Sequence, residues 1–160
     1  MDRGKHGRKD RLIKERRHDV YQARAKWPEP TVCHTCGAVL SGGRWTWKEA
    51  PPDANAAVCP ACRRIAEKVP AGTVEVRGAF FVQHRQEILN LVRNVEKQEK
   101  ALHPLERIMT IRKGGPEMRI DTTGVHIARG IGEALAKAYK GKLSFRYPDE
   151  DSTIRVSWER

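Results

Sequence analysis

The sequence predicts an α+β protein in three parts: a basic arm over residues 1–30, a four-cysteine zinc ribbon over 31–70, and an α+β domain over 71–160. Three observations lead there. Cys33-His34-Thr35-Cys36 and Cys59-Pro60-Ala61-Cys62 hold all four cysteines of the 160-residue chain. Residues 1–27 contain ten basic and four acidic side chains. After Pro104 the apolar residues switch between the period-2 pattern of strands and the longer period of a helix.

The arm carries Arg3, Lys5, Arg8, Lys9, Arg11, Lys14, Arg16, Arg17, Arg24 and Lys26 against Asp2, Asp10, Glu15 and Asp19. Gly4 and Gly7 disfavour a helix at the start. Residues 10–26 are good helix formers, but Leu12, Ile13, Val20 and Trp27 make only a thin apolar stripe. Such a segment is expected to be partly disordered or helical, ordering against a phosphate surface. Pro28 and Pro30 end it.

In the second part each Cys-x-x-Cys turn aims two sulfurs at one point, and 22 residues, Gly37 to Val58, separate the turns. Two such turns together make a tetrahedral thiolate site for structural Zn2+, with Cys33, Cys36, Cys59 and Cys62 as ligands. Two disulfides or a redox-active Cys-x-x-Cys are the alternatives. Nothing at the N-terminus resembles a secretory signal, so a reducing, cytoplasmic compartment is expected. Gly42-Gly43 marks a turn. Arg44-Trp45-Thr46-Trp47-Lys48 then reads as a strand with both tryptophans on one face. Trp45 or Trp47 would stack on bases or riboses while Arg44 and Lys48 contact phosphates; the alternative is that the tryptophans fill the ribbon's small core. Arg63 and Arg64, further candidates for phosphate contact, open a short helix after the second turn.

Pro70-Ala71-Gly72 is a connector, and residues 73–77 a brief strand. Residues 80–102 form one long amphipathic helix, with Phe81, Ile88, Leu91, Val92, Val95 and Leu102 on its stripe, His84 among them, and Pro104 stopping it. Leu105, Arg107, Met109 and Ile111 alternate with Glu106, Ile108, Thr110 and Arg112, Lys113-Gly114-Gly115-Pro116 turns the chain, and Met118 and Ile120 continue the alternation: a hairpin. Thr122 or Thr123 caps the next helix, whose apolar face is Ile127, Ile131, Ala134, Leu135 and Ala138, with Gly141 after its end. Gly130-Ile131-Gly132 inside it reads as close helix–sheet packing. Leu143, Phe145 and Tyr147 form one strand, residues 148–151 a turn, and Ile154, Val156 and Trp158 the last strand. The ββαββ order is satisfied by a mainly antiparallel sheet with helices on one face and Lys and Arg side chains on the open face.

The formal net charge is +11 and the pI about 9.9, which points to a polyanionic partner. No apolar run approaches the roughly 20 residues that span a bilayer, so no membrane partner is expected. There is no phosphate-binding Gly-rich loop and no Gly-x-Ser-x-Gly elbow. A site of four thiolates leaves its metal no open position. The chain therefore reads as a binding protein rather than an enzyme, with no small-molecule substrate evident.

Together, Cys33–Gly37, the Trp45–Trp47 hairpin, Cys59–Cys62 and the 107–158 segment are similar to a known pattern. Within the last, the order from Ile120 to Tyr147 is strand, Thr-Thr, Ala-rich helix, aromatic strand. The chain resembles short bacterial relatives of the nonsense-mediated-decay-protein-3 family, whose larger archaeal and eukaryotic members are adaptors of the large ribosomal subunit in export or maturation. It has one four-cysteine set and none of their C-terminal domains. The resemblance implies ribosome or ribosomal-RNA association, the four cysteines as zinc ligands, and no catalytic residues. From the sequence, the expected function is a zinc-containing RNA-binding protein acting in large-subunit maturation, quality control or dormancy. A DNA-binding regulator and a protein–protein adaptor are the alternatives.

Overall fold

The computed structural model describes residues 27–148 and 152–160. The arm's ten cations lie outside the described residues, as do residues 149–151.

Two sheets organise the chain. The first is four short strands, β1 (Thr31–Cys33), β2 (Val39–Ser41), β3 (Arg44–Thr46) and β4 (Asn55–Ala57), in the order β3-β2-β1-β4, followed by helix α1 (Pro60–Glu67). β1 runs antiparallel to β2 and parallel to β4. β1 and β2 are joined by the first Cys-x-x-Cys turn. Gly37, at φ +81°, takes the left-handed conformation that closes the turn, and its N–H reaches the Cys33 carbonyl at 2.8 Å.

The second unit contains β5 (Gly72–Arg77), α2 (Ala79–Gln83), α3 (Arg85–Leu102), β6 (Ile108–Gly114), β7 (Glu117–Thr122), α4 (Val125–Tyr139), β8 (Lys142–Arg146) and β9 (Ile154–Glu159). Its sheet order is β6-β7-β5-β9-β8. Three pairings are antiparallel and one, β5 with β9, is parallel. The mainly antiparallel α+β architecture is thus present. The brief strand at residues 73–77 turns out to be its centre: Val74 and Val76 sit between β7 and β9, fully buried. Helix α3 carries the chain from β5 to the parallel β6, leaving a slot for β7. Helix α4 does the same from β7 to β8, leaving room for β5 and β9. These are two interleaved split βαβ units.

The core lies between one sheet face and the helices. Val74, Val76, Met118, Ile120, Ile154, Val156 and Trp158 meet Phe81, Ile88, Val92, Ile127, Ile131 and Leu135, each no more than 2% exposed. Trp158 is fully buried, with its indole N–H donating to the Lys140 carbonyl at 2.6 Å.

Four local expectations change. The long helix breaks at His84, whose ring stacks on Phe80 (3.9 Å between centroids) and whose Nδ1 lies 2.8 Å from the Phe80 carbonyl. The Arg160 carbonyl accepts the first N–H groups of α2, from Phe80 and Phe81. Leu102, at the last turn of α3, is 77% exposed rather than packed on the stripe. In α4, Ala128 is buried while Ala138 is exposed.

The cap of α4 also differs. The N-cap is Gly124, which has no side chain to give. Thr123 Oγ1 instead donates to the Leu105 carbonyl at 2.6 Å and accepts the Arg107 N–H at 2.8 Å, tying down the loop before β6. The cap comes from Glu106, whose carboxylate accepts the Ile127 N–H at 3.0 Å. A Cβ on residue 124 would collide with that carboxylate. Burial raises the Glu106 pKa above the usual carboxylate range, and the Ile127 N–H only partly offsets it. Protonation is therefore easier in the folded chain, so the stability tied to this group is fully present below the ordinary carboxylate pKa. It is lost as pH rises through the raised value. Glu106→Gln, which keeps the acceptor and removes the charge, should gain stability relative to the native chain between acid and neutral pH. Glu106→Ala should lose about 1 kcal/mol at neutral pH. Thermal melts of the three proteins across pH check both; a pH-independent Glu106→Gln difference would contradict the first.

Candidate metal centre

The two Cys-x-x-Cys turns meet. The four Sγ atoms lie within 4.8 Å of one another, and Cys36 Sγ is 3.8 Å from Cys59 Sγ. All four cysteines are free, with no disulfide among them. A tetrahedral ion with metal–sulfur bonds of about 2.3 Å needs sulfurs about 3.8 Å apart, so the cage has the right size for a metal ion such as zinc. Three of the sulfurs belong to buried residues and Cys36 is half-buried.

Local sequence explains why each sulfur points inward. Cys59 is the N-cap of α1, with Pro60 in the first turn, where a missing N–H costs nothing. Its Sγ accepts the Cys62 N–H at 3.4 Å, and its own N–H donates to Cys33 Sγ at 3.2 Å. The second turn thereby grips the first through its backbone, beside any bound ion.

Electrostatics favour a bound cation. For Cys33, burial works upward, but the amides of Cys59, Cys36 and Thr35 outweigh it and hold the thiol down at about 6. Burial pushes the Cys59 and Cys62 thiols up, and amide and Arg107 contacts offset this only in part. Four thiolates side by side, three of them on buried residues, need a counter-charge in their midst, which a divalent ion would supply.

A divalent ion among four thiolates leaves two negative charges, and Arg107 addresses them from the second unit. Its Nη1 donates to Cys62 Sγ at 3.2 Å; its Nη2 donates to Cys36 Sγ at 3.2 Å and Cys59 Sγ at 3.4 Å. Nε donates to the Pro104 carbonyl at 2.7 Å, which fixes the plane of the guanidinium. Arg107 is 7% exposed. Burial works against its charge, but the sulfurs more than compensate and raise its pKa. Sequence reasoning missed this residue. The signal was there: in the sequence Arg107 alternates in one row with Leu105, Met109 and Ile111, and an arginine in an apolar row asks for a buried anion.

The other candidate residues separate. Trp45, half-buried, packs against the cysteine cluster and meets Trp27 edge-on at 5.7 Å. Trp47 donates its indole N–H to the Lys100 carbonyl at 2.6 Å, and its ring lies 6.0 Å from the Arg107 guanidinium carbon, joining the ribbon to α3. Arg44 and Lys48 are exposed. Arg63 pairs with Glu67 at 3.0 Å on the outer side of α1. Arg64 turns inward, 5% exposed, and donates to the Val69 carbonyl at 3.1 Å. Among the described candidates only the four cysteines converge on a single point.

Among the described residues no helix is long and apolar enough to cross a membrane. No protein-family model, no curated protein and no solved structure matches this chain.

Proposed function

We propose that this chain is a zinc-containing RNA-binding protein that associates with the ribosome or ribosomal RNA, acting in large-subunit maturation, quality control or dormancy. The observation that carries the reading is the charge: +11 overall, with ten of the 31 Lys and Arg residues crowded before Trp27. A backbone of phosphates is the partner that such a distribution matches over the longest contact.

The fold supports the reading by gathering cations on one sheet face. On it, register sets Arg112 opposite Arg119 and Arg146 opposite Arg155, all four exposed. Like charges directly opposite one another destabilise a sheet. Asp121 relieves Arg119 at 3.2 Å. Among the described residues no carboxylate makes an ion pair with Arg112, Arg146 or Arg155. The metal cage serves this role by rigidity: a four-stranded ribbon with a core of a few small residues gains from the ion the stability that burial alone does not supply.

Sucrose-gradient sedimentation of the tagged protein in lysate tests the proposal. Migration with ribosomal particles at low salt, weakening steeply as salt rises, is the expected result, because each phosphate contact releases counterions. Protein that stays at the top of the gradient at every salt concentration overturns it. Displacement by duplex DNA as readily as by ribosomal RNA would favour the DNA-binding alternative.

A further inference from the structure

One large groove lies between the two units. It encloses about 770 Å³, within the range of about 300–1,000 Å³ typical of ligand sites. One wall is the β2–β3 hairpin with Arg44 and Trp45. The other is the end of α3 and the first turns of α4, including Glu99, Leu102, His126 and Gly130.

Gly130 has no packing explanation. Two residues on, Gly132 is required: a Cβ there would lie 2.6 Å from Val156 Cγ1 and 2.9 Å from Leu143 Cδ1. The close helix–sheet packing expected of this pair belongs to Gly132 alone. A Cβ on Gly130 would meet only Val95 Cγ1 at 3.9 Å and Glu99 Oε1 at 4.0 Å, ordinary contacts. A glycine inside a helix costs about 1 kcal/mol relative to alanine. This one keeps open the floor of the groove, and a bare helix backbone is what a closely approaching ligand needs. Leu102, 77% exposed at the end of α3, is a second feature that folding does not use.

We propose that this groove receives an unpaired nucleotide of a single-stranded RNA. The inference rests on the RNA-binding reading above and assigns it a site. Trp45 and Leu102 offer apolar surface to a base, and an indole face accepts any base. Exposed Arg44 and His126 stand at opposite walls to meet phosphates or the ribose. The Glu99 carboxylate accepts from an exocyclic amine or a 2′-hydroxyl. The basic arm joins the described structure at Trp27, which packs on Trp45 itself.

The test is fluorescence anisotropy of a labelled, mixed-sequence single-stranded RNA with the full-length, zinc-loaded protein, paired with thermal melts. Gly130→Leu places a side chain in the groove and favours the helix. It should weaken binding about tenfold, the scale of one lost stacking contact, with the melting temperature unchanged or raised. Arg44→Ala, on the opposite wall and exposed, should weaken binding severalfold without affecting the fold. If both variants bind as the native protein does, the groove is not the site, while the RNA-binding reading stands. If Gly130→Leu does not fold, native-like binding by Arg44→Ala overturns the inference. If the native protein binds no RNA, both readings fail together.

Discussion

Cys59→Ser should strip the metal and unfold the first unit. The Cys59 sulfur lies 3.8 Å from that of Cys36 and accepts from Arg107 of the second unit, whereas the α1 cap and the backbone N–H to Cys33 Sγ survive in serine. A serine hydroxyl does not replace a thiolate in a tetrahedral sulfur cage. The apparent binding energy of a structural Zn2+ at neutral pH is of the order of 10–16 kcal/mol. The ribbon's buried apolar side chains are Ala38, Val39, Leu40, Ala61 and three of the cysteines, with Trp45 and Val58 partly buried against them, too little to fold without the ion. Zinc measured per chain should fall from near one to near zero, and the melt should lose the contribution of residues 31–69. A Cys59→Ser protein with full zinc and an unchanged melting curve would refute the assignment of the four cysteines as ligands. Because burial raises the Cys59 and Cys62 thiols, metal uptake displaces protons. Apparent zinc affinity should accordingly rise with pH through the neutral range.

Arg107→Ala should cost the second-largest amount. Partners that orient metal ligands typically matter by about 10–100-fold in affinity, and truncating one side of a buried charge pair costs about 3–5 kcal/mol. Chelator competition should show zinc lost more readily by a factor in that range. Arg107→Lys should recover only part of it, since a single ammonium does not span Cys36, Cys59 and Cys62 as the planar fork does. The split between alanine and lysine separates charge compensation from simple packing. Equal zinc affinity in all three proteins would show that Arg107 holds the loop rather than the cage.

Because Arg107 belongs to the second unit, its contacts make the metal centre a joint between the two. Trp47 bonded to the Lys100 carbonyl and Leu105 packed on the cysteine cluster complete that joint. Loss of metal should therefore be felt beyond the ribbon, in the loop leading into β6 and in the Thr123 hydroxyl that anchors it.

Local chemistry was enough to locate the cage. Two Cys-x-x-Cys turns, a proline after Cys59 and a glycine after Cys36 carry their geometry within a few residues. The hairpin of β6 and β7, helix α4, and the β8–β9 pair were legible for the same reason: period and turn chemistry are properties of contiguous chain. What sequence by itself determined, then, is the α+β class, the meeting of the four cysteines and the basic character. Tertiary structure decided what depends on residues distant in the chain. The strand at residues 72–77 is the centre of the sheet only because β7 (residues 117–122) and β9 (residues 154–159) arrive much later in the chain to flank it. The α4 cap passed to Glu106 because Thr123 was already engaged by the loop before β6. Arg107 found its anions 45, 48 and 71 residues away. In each case a polar group or a bare strand edge had to be satisfied, and its nearest partner in space was remote in sequence.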